Sequence, residues 1–347
     1  MTPPSASALA SPLAQASSNS AVLLALEPRE LDLFFGAAPV LCGTTTSFEN
    51  TLDWTKRPAG AWLEKLRHHR PEILVSCWST PALPPEWLAQ PDCPLRYVCH
   101  LTGSVRQLVP RSFLEDGGRI TNWGSNAARQ VAEHALLLTL SALRNSTRWK
   151  TLAHPDKLKA TRTLFGQNVA IHGFGQIARA LRQLLHPFGV HARVFAPGVP
   201  LALIRSHGAE PCSSLLELAA SSSIFIDCEA LTQESAGSVN REVLAALPDD
   251  AVFVNVGRGR VVDEPALIAE ARSGRLRIAL DVVTNEPLDP GDPMATLPNV
   301  IYSPHIAGPT GDRLRHCGQL VVDNIRRFLQ NEPLEAEVTL ESYDRST

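Results

Sequence analysis

Four side chains in this sequence carry the chemistry worth arguing about: Arg258, Asp281, Glu286 and His305. Each follows an apolar run. "AVFVNVGRG" delivers Arg258, "RIALDVVTNEP" delivers Asp281 and then Glu286, and "NVIYSPH" delivers His305. Imidazole has the unperturbed pKa nearest neutrality and suits proton transfer, and a carboxylate beside it favours the charged ring. The planar guanidinium fork of an arginine grips a substrate carboxylate and carbonyl oxygen better than a lysine does. Singly, each residue has an ordinary explanation: a surface ion-pair partner, a helix cap, a solvated charge before Pro287, a polar strand end. Their separations are too long for one helix face, so they converge only through a sheet. In an open parallel sheet the ligand crevice lies outside the carboxyl ends of the strands. Independent strand caps give no reason for a cation, two acids and a histidine to recur there together.

The elements that must position them are legible in outline. From Ala21 onward, short apolar runs ("AVLLAL", "EILVSCW", "RYVCHL", "RITNW") alternate with helix-length amphipathic stretches, the pattern of parallel α/β sheets. "GSNAARQVAEHALLLTLSALRNS" reads as a long helix capped by Ser125, which places a domain boundary near Trp123 and Gly124. In "GDRLRHCGQLVVDNIRRFLQ", Leu314, Cys317, Val321, Ile325 and Phe328 form a buried stripe. The first twenty residues, rich in Ser, Ala and Pro and without Lys or Arg, read as a disordered tail rather than a targeting peptide.

Composition bounds the partners. The 347 residues, 44% of them hydrophobic, supply two ordinary cores. A net charge of -3, from 32 basic and 35 acidic residues, gives no electrostatic reason to expect nucleic acid or an anionic membrane. The longest apolar run, Ala135 to Leu143, falls far short of the roughly 20 residues that cross a bilayer. Seven scattered cysteines, odd in number and without a CxxC pair, argue against a disulfide framework or a structural metal site, and a reducing cytoplasm is the expected setting. His68, His69, His134 and His316 read as structural or solvated. A small molecule is the expected partner.

In "GQNVAIHGFGQIARALRQLL" an apolar strand runs into Gly173-Phe-Gly175-Gln-Ile-Ala178 and then a helix, the dinucleotide fingerprint in its proper setting. Gly173 allows the tight turn and Gly175 lets a pyrophosphate approach the backbone. Ala178 is the small residue where helix meets strand, and the amides of Gln176 and Ile177 face the phosphate with the helix dipole behind them. The next strand, "HARVFAP", ends in Ala196 where an acid usually holds the adenosine ribose. Without that acid both NAD and NADP stay open, with Arg193 or Arg205 as unplaced partners for a 2'-phosphate.

From about Gly103 to Leu329 the chain resembles the D-specific 2-hydroxyacid dehydrogenases. The likeness rests on "SNAARQVAEHALLLTLSALR", "VAIHGFGQIARAL", "VNVGRGRVVDEPAL", "ALDVVTNEPL" and "LPNVIYSPHIAG". It implies two lobes: a Rossmann-like NAD(P)-binding domain (124–308) inserted into a flavodoxin-like substrate domain (21–123 and 309–347). It implies further that His305 is the acid/base and Glu286 its partner, that Arg258 clamps the substrate, and that Asp281 holds the nicotinamide carboxamide. Glu229, Ala230, Val256 and Gly257 fall at cofactor-facing positions, and Thr102, Gly103 and Ser104 at the substrate loop. The family's glycine-rich loop and aspartate are replaced here by "LTGSVRQLV", with Arg106 in place of the acid. Cys228 and Glu229-Ala230 stand where a His and an apolar-Pro pair are usual. Trp78 is either a pocket wall or, the safer expectation, a core residue. The resemblance implies a 2-keto acid reductase of the glyoxylate/hydroxypyruvate kind, dimeric through the long helix. A dinucleotide-sensing protein like the C-terminal binding corepressors is the alternative.

Overall fold

The computed structural model describes residues 20–52, 60–150 and 160–345. The expected tail lies outside the described residues except for Ser20, which begins the first strand. Two sheets organise the chain. The first contains β1 (Ser20–Leu26), β2 (Thr44–Asn50), β3 (Ile73–Ser76), β4 (Tyr97–His100) and β5 (Arg119–Thr121), in the order β2-β1-β3-β4-β5. The second contains β6 (Asn168–His172), β7 (His191–Phe195), β8 (Glu210–Pro211), β9 (Ile224–Asp227), β10 (Val252–Asn255), β11 (Arg277–Leu280) and β12 (Val300–Tyr302). Its order is β12-β11-β10-β9-β6-β7-β8, which puts a topological switch point between β6 and β9. Every strand pairing within these sheets is parallel.

The apolar runs become the buried inner strands because a parallel sheet is covered by helices on both faces and has no solvated side to alternate toward. In β6, for example, Val169, Ala170 and Ile171 are fully buried. β2 is a strand that no apolar run announced. Its sequence, TTTSFEN, lies at the sheet edge, paired to β1 from Ser20↔Thr44 to Leu26↔Asn50, and an edge strand held by backbone bonds needs no apolar pattern.

The helix Ala128–Leu143 packs Ala132, Ala135 and Leu138 into the core of the second sheet with Ile171 and Leu181. Ser125 does not cap it. The chain enters through a 3-10 turn at Gly124–Asn126, the helix begins after Ala127 with no side-chain cap, and Asn122 Oδ1 instead accepts from the Gly124 amide at 2.9 Å. The helix Leu314–Leu329 returns to the first sheet, burying Leu314, Cys317, Val321 and Ile325 against Phe34 and Tyr97, with the Phe328 ring stacked 4.9 Å from Tyr97. No helix among the described residues is long and apolar enough to cross a membrane.

Candidate active site

A cleft of about 1580 Å³ opens between the carboxyl ends of the two sheets. Glycine-rich turn, Arg258, Asp281 and His305 all line it, as do Trp78, Gly103, Ser104 and Trp123 from the first sheet's side.

Each charged side chain is held by a specific turn. Beyond β10, Asn255 is 1% exposed; its Oδ1 accepts from the Gly257 amide at 2.9 Å and its Nδ2 donates to the Arg258 carbonyl at 3.2 Å, which folds the chain so that Arg258 faces the cleft. Burial pulls the guanidinium below its ordinary pKa, and the charge of Glu286 opposes that shift. Glu286 is steadied by the Val283 amide, which donates to its Oε1 at 3.1 Å. Its other oxygen, Oε2, lies 2.7 Å from His305 Nδ1. An ionised carboxylate only accepts, so Nδ1 carries its hydrogen toward Glu286 and Nε2 is the ring nitrogen left for a substrate.

His305 has a φ of +52°, a left-handed backbone that costs free energy for a residue with a Cβ. Asp281 holds it there. The His305 amide donates to the Asp281 carbonyl at 2.9 Å. Asp281 Oδ1 accepts from Ser303 Oγ at 2.6 Å and from the Ile306 amide at 3.0 Å, and Oδ2 accepts from the Ala307 amide at 3.1 Å. His134 Nε2, on the long helix, stands 3.3 Å from Oδ1 and 2.8 Å from Ser303 Oγ. Burial alone would raise the Asp281 carboxyl, but these donors outweigh it and leave the carboxyl below its ordinary pKa. The resemblance implied a carboxylate for the nicotinamide carboxamide. Asp281 bonds the turn that carries His305 through both oxygens and also lines the cleft.

The glycine-rich turn fits a dinucleotide. Gly173 has φ +82° and a Cβ there would lie 2.8 Å from Glu229 Cα, so only glycine closes this turn. Beside Gly175 a Cβ would meet nothing within 4 Å, which leaves open space at the start of the helix Gln176–Leu185, whose N-terminus has no side-chain cap. Amides of Gln176 and Ile177 head that helix, as an anion requires. Glu229, Ala230, Val256 and Gly257 complete this wall.

The remaining expectations divide. Gly103 and Ser104 line the cleft, and Gly103 must be glycine because a Cβ would meet Trp123 Nε1 at 2.7 Å. Thr102 is buried and its hydroxyl bonds His100 Nε2 at 2.6 Å, so it supports the loop from beneath. Ala178 is fully buried under the helix, and Ala196 is packed against the same core; neither is on the cleft wall. Trp78 is a wall rather than a core residue: it is 60% exposed, with its ring 5.5 Å from Phe34. Arg193 bonds Glu217 and Arg205 lies exposed on the helix Leu201–Ser206, so neither reaches the cleft. His134, Ser303 and Asn255 were not singled out as site residues, and only their neighbours' sequence (Ser303 in "SPHIAG", Asn255 in "VNVGRG") pointed near them. Among the described residues no group of three His, Cys, Asp or Glu converges as a metal site.

The NAD binding domain of D-isomer specific 2-hydroxyacid dehydrogenases matches residues 134–307. A glyoxylate/hydroxypyruvate reductase of Arabidopsis thaliana is 31% identical over 236 residues, covering 64% of this chain and 69% of that protein. A hydroxyphenylpyruvate reductase of Plectranthus scutellarioides is 32% identical over 231 residues, covering 63% and 71%. Among solved structures, the D-mandelate dehydrogenase of Rhodotorula graminis superposes with a TM-score of 0.75 at 23% identity, over 92% of this chain and 98% of that one, a likeness of fold.

Proposed function

We propose that this chain, which belongs to the D-isomer specific 2-hydroxyacid dehydrogenase family, reduces a small 2-keto acid in the cleft between its sheets with Arg258, Glu286 and His305 as the working side chains. It is an NAD(P)-dependent oxidoreductase of CH-OH groups. The observation that carries the assignment of roles is the 2.7 Å bond from His305 to Glu286 in the cleft that Arg258 also lines.

Arg258 binds the substrate carboxylate and carbonyl oxygen through its fork, which orients the keto group and polarises it. The amides of Gly103 and Ser104 add donors from the opposite wall. His305, charged and hydrogen-bonded to Glu286 through Nδ1, gives the proton on Nε2 to the carbonyl oxygen as that oxygen becomes a hydroxyl, and leaves as the neutral ring. Glu286 accepts from Nδ1 and fixes the ring's orientation throughout. A nicotinamide cofactor, when bound, supplies the hydride that reduces the carbonyl carbon. Gly173, Gly175, Gln176 and Ile177 would hold its pyrophosphate, and Glu229, Ala230, Val256 and Gly257 would flank it. Asp281, Ser303 and His134 keep the His305 turn in place.

The names of the relatives favour a reductase over the sensing alternative, and glyoxylate, hydroxypyruvate and aryl-pyruvates are the substrates to try first. We further propose a division into lobes at 21–123 with 309–347 and at 124–308, a cytoplasmic setting, and a two-fold dimer through the helix Ala128–Leu143. Leu137, 55% exposed on that helix, supports the dimer. The function is tested by following loss of reduced-cofactor absorbance with a panel of 2-keto acids. Turnover of any member is expected; none with either NADH or NADPH would refute it.

A further inference from the structure

Trp78 is a large aromatic side chain left 60% exposed by a loop that is otherwise tightly bonded. Ser76, Cys77 and Thr80 around it in the chain are buried. The Cys77 amide donates to Thr80 Oγ1 at 2.8 Å, and that hydroxyl donates to the Ala25 carbonyl at 2.7 Å. Ser79 donates its amide and its hydroxyl to the Glu30 carboxylate, at 2.9 and 2.5 Å, and Glu30 is buried on the helix Pro28–Phe35. The indole is backed by the buried Phe34 ring, 5.5 Å away. A bonded loop and a buried ring behind it hold the indole on the cleft wall, so little ordering remains to be done when a ligand meets it.

Sheet register sets what lies beside it. Ser76 of β3 pairs with His100 of β4, and the Leu101 amide donates to the Ser76 carbonyl at 2.9 Å, so the two chains leave the sheet as neighbours. Paired strands lie about 4.8 Å apart, which puts the loop of Trp78 next to Thr102, Gly103 and Ser104. The His100 ring ties the two loops from beneath: Ser76 Oγ lies 3.0 Å from Nδ1 and Thr102 Oγ1 lies 2.6 Å from Nε2, with all three residues buried. Leu33 and Trp123 line the same wall, and a Cβ on Gly103 would touch the Trp123 indole.

The charged groups on this wall are mostly engaged with one another. Glu30 accepts from Ser79 and from the Glu27 amide, and the Glu27 side chain accepts from the Glu30 amide in a capping box. Arg29 is exposed on the same helix. With a substrate carboxylate bonded at Gly103 and Ser104, the other substituent of the keto acid therefore meets an apolar, aromatic surface.

We propose that Trp78 is a specificity-determining residue of this cleft and that the preferred substrate is a 2-keto acid with an aryl side chain, whose ring packs on the indole. This rests on the reading of the cleft as the site of keto acid reduction. Two aromatic rings pack offset or edge to face and cover each other from water. The hydrogen of glyoxylate and the hydroxymethyl group of hydroxypyruvate offer no such face and leave the indole wet.

Initial rates with phenylpyruvate, glyoxylate, hydroxypyruvate and 2-ketoglutarate, using the purified chain and whichever of NADH and NADPH it accepts, test this. Burying a phenyl group corresponds to roughly 10- to 100-fold, so kcat/KM should be at least about tenfold higher for phenylpyruvate than for glyoxylate or hydroxypyruvate. Trp78→Ala should shrink that ratio about tenfold, chiefly through KM for phenylpyruvate, and Trp78→Phe should recover most of it. General damage to the fold would lower every substrate alike and leave the ratio where it was. A ratio near one in the unmodified chain, or an unchanged ratio in Trp78→Ala, would overturn the inference while leaving the reductase assignment standing. A preference for 2-ketoglutarate would also overturn it, by giving the wall to Arg29. No turnover of any of the four would overturn both readings. Should Trp78→Ala not fold, the unmodified chain's own ratio still decides.

Discussion

Replacing Asp281 by Asn removes a charge and almost no volume, so its effect isolates the hydrogen bonding of one buried carboxylate. That carboxylate is 1% exposed and accepts from Ser303 Oγ and the amide of Ile306 on one oxygen and from the amide of Ala307 on the other. An amide side chain offers one acceptor oxygen. If that oxygen takes the Ser303 and Ile306 positions, the new NH2 faces the Ala307 N–H, donor against donor; turned round, it faces two donors instead. One buried unsatisfied donor costs about 1–3 kcal/mol, and losing the charge weakens the remaining bonds, so a destabilisation of about 2–4 kcal/mol follows. For a lobe of this size that is a fall of roughly 5–10 °C in Tm. The cost does not vary through the neutral range. Because the folded carboxyl is held below its ordinary value of 3.8, its contribution is complete above that pH and is lost only as pH falls through the lower, folded-state pKa. The turn that Asp281 secures carries His305 at φ +52°, so kcat should fall together with Tm. Thermal unfolding by circular dichroism and steady-state keto acid reduction measure the two effects. A variant that melts within about 1 °C of the parent and keeps its kcat would refute the claim that Asp281 sets the His305 turn.

Two further outcomes follow from the same structure. Glu286→Gln keeps an acceptor beside His305 Nδ1 but removes the charge 2.7 Å away; because both side chains are partly solvated the interaction is worth about 1–2 kcal/mol, so kcat/KM for reduction should drop about tenfold, and a change under twofold would contradict the pairing. His100 is buried and burial pushes its imidazole down from 6.5 to about 4, so the unfolded chain takes up a proton first as pH falls below 6.5; stability is full above that pH and declines toward pH 4, by about 2 kcal/mol at pH 5. Urea midpoints at pH 7 and pH 5 should show that loss, and replacing His100 by Gln should remove most of the difference between them.

The parts of the site that could be read from the sequence are those carried by short local signals. The apolar runs ending at Asn255, Leu280 and Tyr302, and the Gly173 to Ala178 turn, each pair a periodicity with a terminus, and a parallel sheet converts strand ends into neighbours whatever their separation along the chain. β2 stayed hidden because Thr44–Asn50 is an edge strand held by its backbone, with a sequence that reads as a polar loop. The bonds among His134, Ser303 and Asp281 join residues 22 to 169 positions apart, and no spacing rule links a helix histidine to a serine after β12. Trp78 went to the cleft because its strand ends at Ser76, two residues earlier than the apolar run suggested.

The most direct measurement compares the unmodified chain with His305→Ala for reduction of the best 2-keto acid, alongside fluorescence titration of the reduced cofactor. Loss of a positioned proton donor costs about 10²- to 10⁴-fold, so kcat/KM should fall by that factor while the cofactor Kd changes less than about threefold. Undiminished turnover by His305→Ala would contradict the assignment of proton transfer to this histidine and, with it, the reading of the strand-end cluster as the catalytic site.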